Sequence, residues 1–338
     1  MKRNTLGIVG CGLSGIIGCT PLPADSGDSE NPGADDTQDT GSPEDTGDTE
    51  DPLDTEDSAD TEDPATVPQN WERLSAGTYH TCALDSEGDL ICWGATTQSQ
   101  TNVPETIANT VSVSAGDSQT CAIDTTGNLT CWGDGDSGQS AVPENLGSIA
   151  SVSVDLHHTC AVDTSGEVTC WGSNEYGESS VPGNLGDIVS VSAGGEHTCA
   201  LDSTGDVTCW GDNAYGQLSV PNNLAPVIAL TTGNYFTCAL DTDHEVRCWG
   251  FNEHDETNVP SDLHDVVALS SGEFHSCAVD TGGDVTCWGW NYYGEDTVPE
   301  NLGEMVAVSA GSWHTCASDA SGDIQCWGWN IVGQCDVP

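Results

Sequence analysis

Seven pairs of cysteines are the residues whose spacing most plainly allows chemistry. In each pair the second cysteine follows the first by ten residues and is itself followed by Trp-Gly, as in HTCALDSTGDVTCWG at 197–211. Zinc accepts thiolate and imidazole ligands, whereas opposed cysteines in an oxidising compartment form disulfides. The pairs are Cys82 and Cys92, Cys121 and Cys131, Cys160 and Cys170, Cys199 and Cys209, Cys238 and Cys248, Cys277 and Cys287, and Cys316 and Cys326.

The residue two positions before the first cysteine separates the two interpretations. It is histidine in five pairs, namely at His80, His158, His197, His275 and His314. The other two pairs have Gln119 and Phe236 there and keep both cysteines, so the cysteines do not depend on the imidazole. We therefore predict seven disulfides and no metal site, and we expect the histidines to fill space and form hydrogen bonds between units.

The elements that must position these pairs repeat along the chain. The first cysteine recurs every 39 residues, and Val-Pro dipeptides separate the units. In residues 181–219 the alternating segments DIVSVSAG, HTCALD, DVTCWG and GQLSVP predict four short strands. The loop Ser203-Thr204-Gly205 predicts a tight hairpin that places Cys199 opposite Cys209. Six units have glycine at the third loop position, and the remaining unit has His244, a residue type tolerated at positive φ.

Four strands in about 40 residues is the size of a propeller blade. We therefore expect an all-β, seven-bladed β-propeller over residues 67–338, with four antiparallel strands per blade and a ring that leaves few free sheet edges.

The unit VPGNLGDIVSVSAGGEHTCALDSTGDVTCWGDNAYGQLSVP resembles the regulator of chromosome condensation (alpha-tubulin suppressor-like) repeat, in its Val-Pro-punctuated bacterial form. The resemblance extends over residues 67–338 and implies the propeller fold. Some intracellular members of that family act as nucleotide exchange factors or bind chromatin. We do not expect those activities in an exported, acidic protein.

The first 66 residues predict export and anchoring. Lys2 and Arg3 precede a short apolar run that ends in IIGC, which resembles a bacterial lipobox. We expect a signal peptide over 1–18 and lipid on Cys19, which would anchor a cell-surface or periplasmic lipoprotein. Residues 24–66 contain 17 acidic side chains and no Lys or Arg, so we predict a disordered linker over 19–66.

Net charge restricts the partners. The chain has 55 Asp and Glu against four Lys and Arg. Such a surface repels phosphate backbones and anionic lipids, so we expect no nucleic acid ligand and no membrane contact except through the lipid.

Catalysis needs a local group of residues, and most polar residues here recur in every unit. Each hairpin begins with an aspartate whose side chain is expected to support the turn. The third unit is atypical because Asp155, His157 and His158 are close together. We predict no enzyme activity and no cofactor. A cell-envelope enzyme with its site in one atypical blade and a structural surface component are the alternatives.

Function in a repeat protein should lie where its units differ. With strands running up and down, the loops after SAG and after CWG share one face. On that face units two to four carry small or acidic residues: Asp117, Ser118, Asp134, Ser173, Gly195, Glu196 and Asp212. Units five to seven and unit one carry aromatic residues, which we predict to bind a protein or carbohydrate: Tyr79, Tyr235, Phe251, Phe274, Trp290, Trp313 and Trp329.

One cysteine is left over in the exported chain. Removal of Cys11 with the signal and acylation of Cys19 leave 15 cysteines, of which seven pairs use 14. Cys335 is therefore predicted to be a free thiol or to pair with a second molecule.

Overall fold

The computed structural model describes residues 74–85 and 88–338. The expected signal peptide, the lipidation site Cys19 and the acidic segment lie outside the described residues. No helix within the described ranges is long and apolar enough to cross a membrane.

The described residues form 21 strands, three in each of seven units that we call blades 1 to 7. The first strands are β1 (Leu74–Ala76), β4 (Thr110–Ala115), β7 (Ile149–Val154), β10 (Ile188–Ala193), β13 (Val227–Thr232), β16 (Val266–Ser271) and β19 (Met305–Ala310). The second strands are β2 (His80–Leu84), β5 (Gln119–Asp124), β8 (His158–Asp163), β11 (His197–Asp202), β14 (Phe236–Asp241), β17 (His275–Asp280) and β20 (His314–Asp319). The third strands are β3 (Leu90–Gly94), β6 (Leu129–Gly133), β9 (Val168–Gly172), β12 (Val207–Gly211), β15 (Val246–Gly250), β18 (Val285–Gly289) and β21 (Ile324–Gly328).

Each blade is a three-stranded antiparallel sheet, so the prediction of four strands was wrong. The segment expected as the fourth strand, such as GQLSVP at 216–221, contains turns and no ladder. The carbonyl of Gln217 in this segment accepts hydrogen bonds from Trp249 Nε1 at 2.9 Å and Thr237 Oγ1 at 3.1 Å, both in the next blade. Because side chains bind this carbonyl, the segment connects two blades instead of extending one sheet.

The predicted hairpins and disulfides are confirmed. Cys199 pairs with Cys209 in the ladder between β11 and β12, and the two are disulfide-bonded. The other six pairs are bonded in the same register. Gly205 has a φ of 89°, and His244 reaches 63° at the equivalent position. In the same hairpin, the Asp202 carboxylate accepts from the backbone N–H groups of Thr204 and Asp206 at 2.8 and 3.0 Å.

The apolar core lies between neighbouring sheets. Between blades 3 and 4, for example, buried Cys160 and Val162 pack with Ile188, Val191 and Trp210. The tryptophan of each CWG segment thus contributes its ring to an interface and its N–H to a connector of the preceding blade.

The same contacts join the last blade to the first. Leu74 and Trp93 of blade 1 pack with Cys316 of blade 7. Trp93 Nε1 donates to the Gln334 carbonyl at 2.9 Å, and Thr81 Oγ1 donates to it at 3.0 Å. The ring is closed by these contacts, while the seven sheets remain separate.

The repeated histidines lie between blades, as expected. His197 is fully buried, and its Nε2 lies 3.0 Å from Thr237 Oγ1 of the next blade. The Thr237 hydroxyl donates its proton to the Gln217 carbonyl, so His197 Nε2 must donate to the hydroxyl. Nδ1 is then the unprotonated nitrogen, and it has no protein partner among the described residues. Four other histidines are fully buried in the same way and contact a threonine hydroxyl of the next blade through Nε2: His80, His158, His275 and His314.

The two exceptions have their own local solutions. Gln119 donates through Nε2 to the Asp155 carbonyl at 2.6 Å. Phe236 is fully buried, and the next blade has Ser276 in place of threonine. The Ser276 hydroxyl is within 2.8 Å of Ser271 Oγ, so it needs no imidazole.

These imidazoles make the fold sensitive to acid. Burial lowers the pKa of His80, His197, His275 and His314 to about 3, and that of His158 to about 4. In unfolded chains the pKa of histidine is about 6.5, so below that pH the unfolded chain binds protons that the fold refuses. Above about pH 6.5 these histidines are neutral in both states and cost no stability. As the pH falls from there toward the pKa values of the folded state, the free energy of unfolding decreases.

A variant that copies the Phe236 and Ser276 pair measures this effect. We expect His197→Phe with Thr237→Ser to weaken the dependence of the unfolding free energy on pH by up to about 1.4 kcal/mol per pH unit between about pH 6 and 4. Denaturant titrations at several pH values measure the slope, with Thr237→Ser alone as the control. An unchanged slope in the double variant contradicts the assignment of His197 as a buried neutral group.

Candidate ligand-binding face

In every blade one backbone hydrogen bond joins the two loops that carry the predicted face. The N–H of the residue after CWG donates to the carbonyl of the residue before the second strand. Phe251 donates to Tyr235 at 2.9 Å, Trp290 to Phe274 at 2.9 Å and Trp329 to Trp313 at 2.8 Å. The two loops therefore lie together on one face, as the up-and-down strand order predicted, and the hairpins lie on the other.

The glycine after each tryptophan allows this approach. Gly289 has a φ of 108°, and a Cβ atom there would lie 2.6 Å from the Phe274 carbonyl oxygen. Glycine tolerates both the backbone conformation and the contact. Trp290, the next residue, is thereby held beside Phe274.

The predicted aromatic residues form part of one continuous network. Phe274 contacts Trp290 and Trp313, with centroid distances of 6.2 and 5.6 Å. Tyr79 of blade 1 contacts Trp329 of blade 7 at 5.8 Å, across the closure of the ring. We call the whole network the aromatic crescent. Its members are Tyr79, Tyr215, Tyr235, Phe251, His254, Phe274, Trp290, Tyr292, Tyr293, Trp313 and Trp329.

Four members were missed from sequence: Tyr215, His254, Tyr292 and Tyr293. Tyr215 contacts Phe251 at 5.0 Å, and Tyr293 lies between Trp313 and Trp329 at 5.8 and 6.3 Å. The sequence does contain a pattern that could have identified three of them: Tyr215, His254 and Tyr293 each lie five residues after the tryptophan of a CWG segment.

Buried Gln and Glu side chains hold the loops that carry these missed residues. Gln217 Oε1 accepts from the backbone N–H of Tyr215 at 2.9 Å. In the next two blades Glu256 accepts from the N–H of His254 at 2.8 Å, and Glu295 from that of Tyr293 at 2.6 Å.

The crescent is accessible. All seven predicted residues are half-buried, so they present part of each ring to solvent. Tyr292 is 72% exposed, and Ile331 at the equivalent position of blade 7 is 79% exposed. An apolar surface of this kind is unusual unless it meets a partner.

Carboxylates lie within electrostatic reach of the crescent. Asp117 and Glu273 act on Tyr79, whose pKa is raised by burial and then by these two charges. Burial, followed by the charge of Glu196, raises the pKa of Tyr235. The predicted small and acidic positions of blades 2 to 4 thus share the face with the aromatic residues.

The first strands surround a central pocket of about 40 Å³ that is partly open to solvent. One residue from the end of each first strand lines it: Ala76, Ala115, Val154, Ala193, Thr232, Ser271 and Ala310. Asp155 and Glu273 also line it. Burial raises the pKa of Glu273 to about 7, with further repulsion from Asp117 and an opposing hydrogen bond from Ser312. The pKa of Asp155 is raised by burial and by Glu273 and Asp117.

The structure separates the residues of the atypical third unit. His158 is fully buried and its Nε2 lies 2.8 Å from Thr198 Oγ1, whereas the adjacent His157 is exposed. Asp155 lines the central pocket. The described geometry does not join these three side chains in a hydrogen-bonded group.

Cys335 is the one free cysteine within the described part of the chain. Its thiol is half-buried and donates to the Trp329 carbonyl at 3.4 Å. Burial, followed by the charge of Asp336, raises the pKa of this thiol to about 12. A thiol of this kind is a poor nucleophile at neutral pH.

Comparison with protein families gives a repeated match. The model of the regulator of chromosome condensation (RCC1) repeat matches at residues 71–100, 110–139, 149–178, 188–217, 227–256, 266–295 and 305–334. The chain belongs to this repeat family. Each match ends at the Gln or Glu whose carbonyl binds the next blade, so the family's repeat contains the residues that connect RCC1 blades here.

Solved structures of RCC1-like propellers share the fold. The ectodomain of the Physcomitrella patens receptor kinase CR4 is 23% identical, with a TM-score of 0.64 over 76% of this chain and 72% of that one. The CRINKLY WD40 ectodomain of the Arabidopsis thaliana receptor kinase ACR4 is 24% identical, with a TM-score of 0.63 over 77% and 98%. Prp20p from Saccharomyces cerevisiae is 18% identical, with a TM-score of 0.63 over 78% and 83%. No curated protein sequence matches this RCC1-repeat chain.

Glu273 makes a testable contribution to stability. Its pKa is raised to about 7 in the fold, so the unfolded chain ionises first and stability falls as the pH rises from about 4.5 through 7. We expect Glu273→Gln to raise the unfolding free energy by roughly 2 kcal/mol at about pH 8 and by progressively less toward pH 4.5. Denaturant titration measures the difference. Exposed Glu105→Gln is the control, and equal pH profiles for wild type and Glu273→Gln exclude this role.

Proposed function

We propose that this RCC1-repeat protein is an exported, lipid-anchored component of a bacterial cell envelope. In this proposal it binds a protein or carbohydrate ligand through the aromatic crescent and catalyses no reaction. The observation that carries the proposal is the continuous contact of aromatic rings across five adjacent blades on one loop face.

The crescent supports binding because the scaffold does not need it. Blades 2 and 3 fold with Ser118, Asp134, His157 and Ser173 where blades 5 to 7 have aromatic rings. Aromatic side chains supply large contact areas at low entropic cost and dominate interface hot spots. Their concentration on one side of the ring is therefore best explained by a ligand.

Structural neighbours are consistent with a binding role. Two are ectodomains of receptor kinases, and Prp20p binds Gsp1p and histones. A further structure contains Kap60 bound to yeast RCC1. We do not propose these partners for this chain. We propose only that its RCC1-like propeller serves as a binding surface, as those propellers do.

The N-terminal sequence supports the anchor. Lipid on Cys19 would attach the chain to a membrane, and the acidic residues 24–66 would separate the propeller from it. The seven disulfides support an oxidising compartment outside the cytoplasm. Strong negative charge argues against nucleic acid as the ligand.

Removing two central aromatic rings tests the proposal. We expect Trp313→Ala with Trp329→Ala to abolish capture of envelope ligands, because each hot-spot ring contributes about 2 kcal/mol or more. Full-length protein is immobilised and incubated with solubilised envelope fractions, and the captured protein and glycan are quantified. Since both rings are half-buried, thermal denaturation should show a loss of about 1 to 2 kcal/mol per site while the fold is retained.

Ile91→Ala is the control. Ile91 is 50% exposed on β3 of blade 1, outside the loops that carry the crescent. This variant should capture as well as wild type does. Equal capture by the folded double variant means that the crescent only packs the loops and that ligand binding lies elsewhere.

The anchor has its own test. We expect Cys19→Ser to move the protein from the membrane to the soluble fraction, because acyl chains on this thiol would provide the membrane affinity. Fractionation and mass spectrometry of the mature N-terminus measure the result. A Cys19→Ser protein that stays in the membrane contradicts lipidation at this residue.

A further inference from the structure

The crescent and the carboxylates beside it define the chemistry of one ligand. Asp117, Glu196 and Glu273 lie in the loops that carry the crescent, next to Ser118, His197 and Phe274 in sequence. Asp117 and Glu273 are within electrostatic reach of Tyr79, and Glu196 and Glu273 are within reach of Tyr235. Negative charge therefore borders both ends of the aromatic surface.

No fixed cation of the described chain compensates this charge. Among residues 74–85 and 88–338, Arg247 on β15 is the only Lys or Arg, and it pairs at 3.1 Å with Glu245, which immediately precedes that strand. The carboxylates instead repel one another. Burial and then the neighbouring charges of Asp212, Glu178 and Glu175 raise the pKa of Glu196, and this rise exceeds the opposing effect of His157. Repulsion between neighbouring carboxylates adds to the effect of burial in raising the pKa of Glu196 and Glu273, and a cation bound beside them would relieve that repulsion.

Aromatic rings beside carboxylates suit a guanidinium or ammonium group. Such a group is attracted to the face of an aromatic ring and at the same time donates hydrogen bonds to a carboxylate. Indole is the strongest ring for this contact, and the crescent contains Trp290, Trp313 and Trp329. A neutral carbohydrate can stack on the same rings, but it leaves the negative charge uncompensated.

We propose that the ligand of the crescent is a cationic polypeptide segment, whose arginine or lysine side chains lie between the aromatic rings and the carboxylates Asp117, Glu196 and Glu273. This inference rests on the proposed function, because it names the chemistry of the partner of the same face. Long-range attraction between the acidic propeller and this segment accelerates their encounter, and the rings then determine the lifetime of the complex.

The test uses full-length protein in detergent and two short peptides of equal length. One alternates arginine with glycine, and the other has citrulline in place of each arginine, which removes charge while keeping shape. By isothermal titration calorimetry at low salt, we expect the citrulline peptide to bind at least about tenfold more weakly. Raising salt from about 0.05 to 0.5 M should weaken the arginine peptide at least about fivefold, because screening shortens the reach of the charges.

Matched variants locate the binding site. Asp117→Asn, Glu196→Gln and Glu273→Gln combined should weaken the arginine peptide roughly tenfold. The control combines Asp206→Asn, Asp284→Asn and Asp323→Asn, which remove the same number of carboxylates from the hairpins of the opposite face, where blade 2 has Asn128. This control should stay within about twofold of wild type, since only local charges contact the peptide. Trp313→Ala with Trp329→Ala should reduce binding at least as much as the carboxamide variant.

Three results overturn the inference. They are equal affinity for the two peptides, equal losses in both charge variants, and capture of a neutral oligosaccharide such as chitohexaose in preference to the arginine peptide. The last leaves the proposed function intact, because a glycan captured through Trp313 and Trp329 still makes the crescent a binding site. Failure of the proposed function itself is recognised differently, as undiminished envelope capture by the Trp313 and Trp329 double variant.

Discussion

One backbone carbonyl per repeat connects the blades of this protein. It belongs to a fully or almost fully buried Gln or Glu, and it accepts a hydrogen bond from the indole of the next blade at 2.8 to 3.0 Å. In six of the seven cases a threonine hydroxyl binds the same oxygen. Both donors are side chains on the disulfide-bonded strands, next to the cysteines, so sheets that share no ladder are joined at each junction, including that between blades 7 and 1.

The same Gln or Glu connects the scaffold to the binding face. Its carbonyl fixes the next blade, while its side chain accepts the N–H that orients Tyr215, His254 or Tyr293. A carboxylate and an amide both supply the acceptor oxygen, and the amide nitrogens of Gln139 and Gln217 also donate to Asp134 and Asp212. The loop tips are then free to carry any side chain. This explains how similar junctions can present Tyr215, His254 or Tyr293 in blades 4 to 6 and Ser137 in blade 2.

Local features of the fold were predictable from sequence, and junctions between repeats were not. The three-residue loop and the ten-residue spacing determine which cysteines face each other, so the disulfides followed from one unit. The segment GQLSVP has the alternation of a strand, yet its carbonyl is bound by Trp249 and Thr237 of the next blade. Nothing within one unit reveals donors supplied by another. The expectation that histidines bond between blades was correct, but the identity of the threonine partner required the structure.

The binding face shows the same division between local and non-local information. Strand order placed Trp290 beside Phe274 because a single blade determines that pair. The contacts of Tyr293 with Trp313 and Trp329 cross a blade junction, and their distances depend on how the junction rotates neighbouring sheets. Tyr79 and Trp329 are 250 residues apart in numbering and meet only because the ring closes. Closure of the ring therefore also completes the crescent. The hydrogen bonds from Trp93 and Thr81 to the Gln334 carbonyl hold blade 1 against blade 7. The same junction brings Tyr79 to Trp329 at the end of the candidate binding surface.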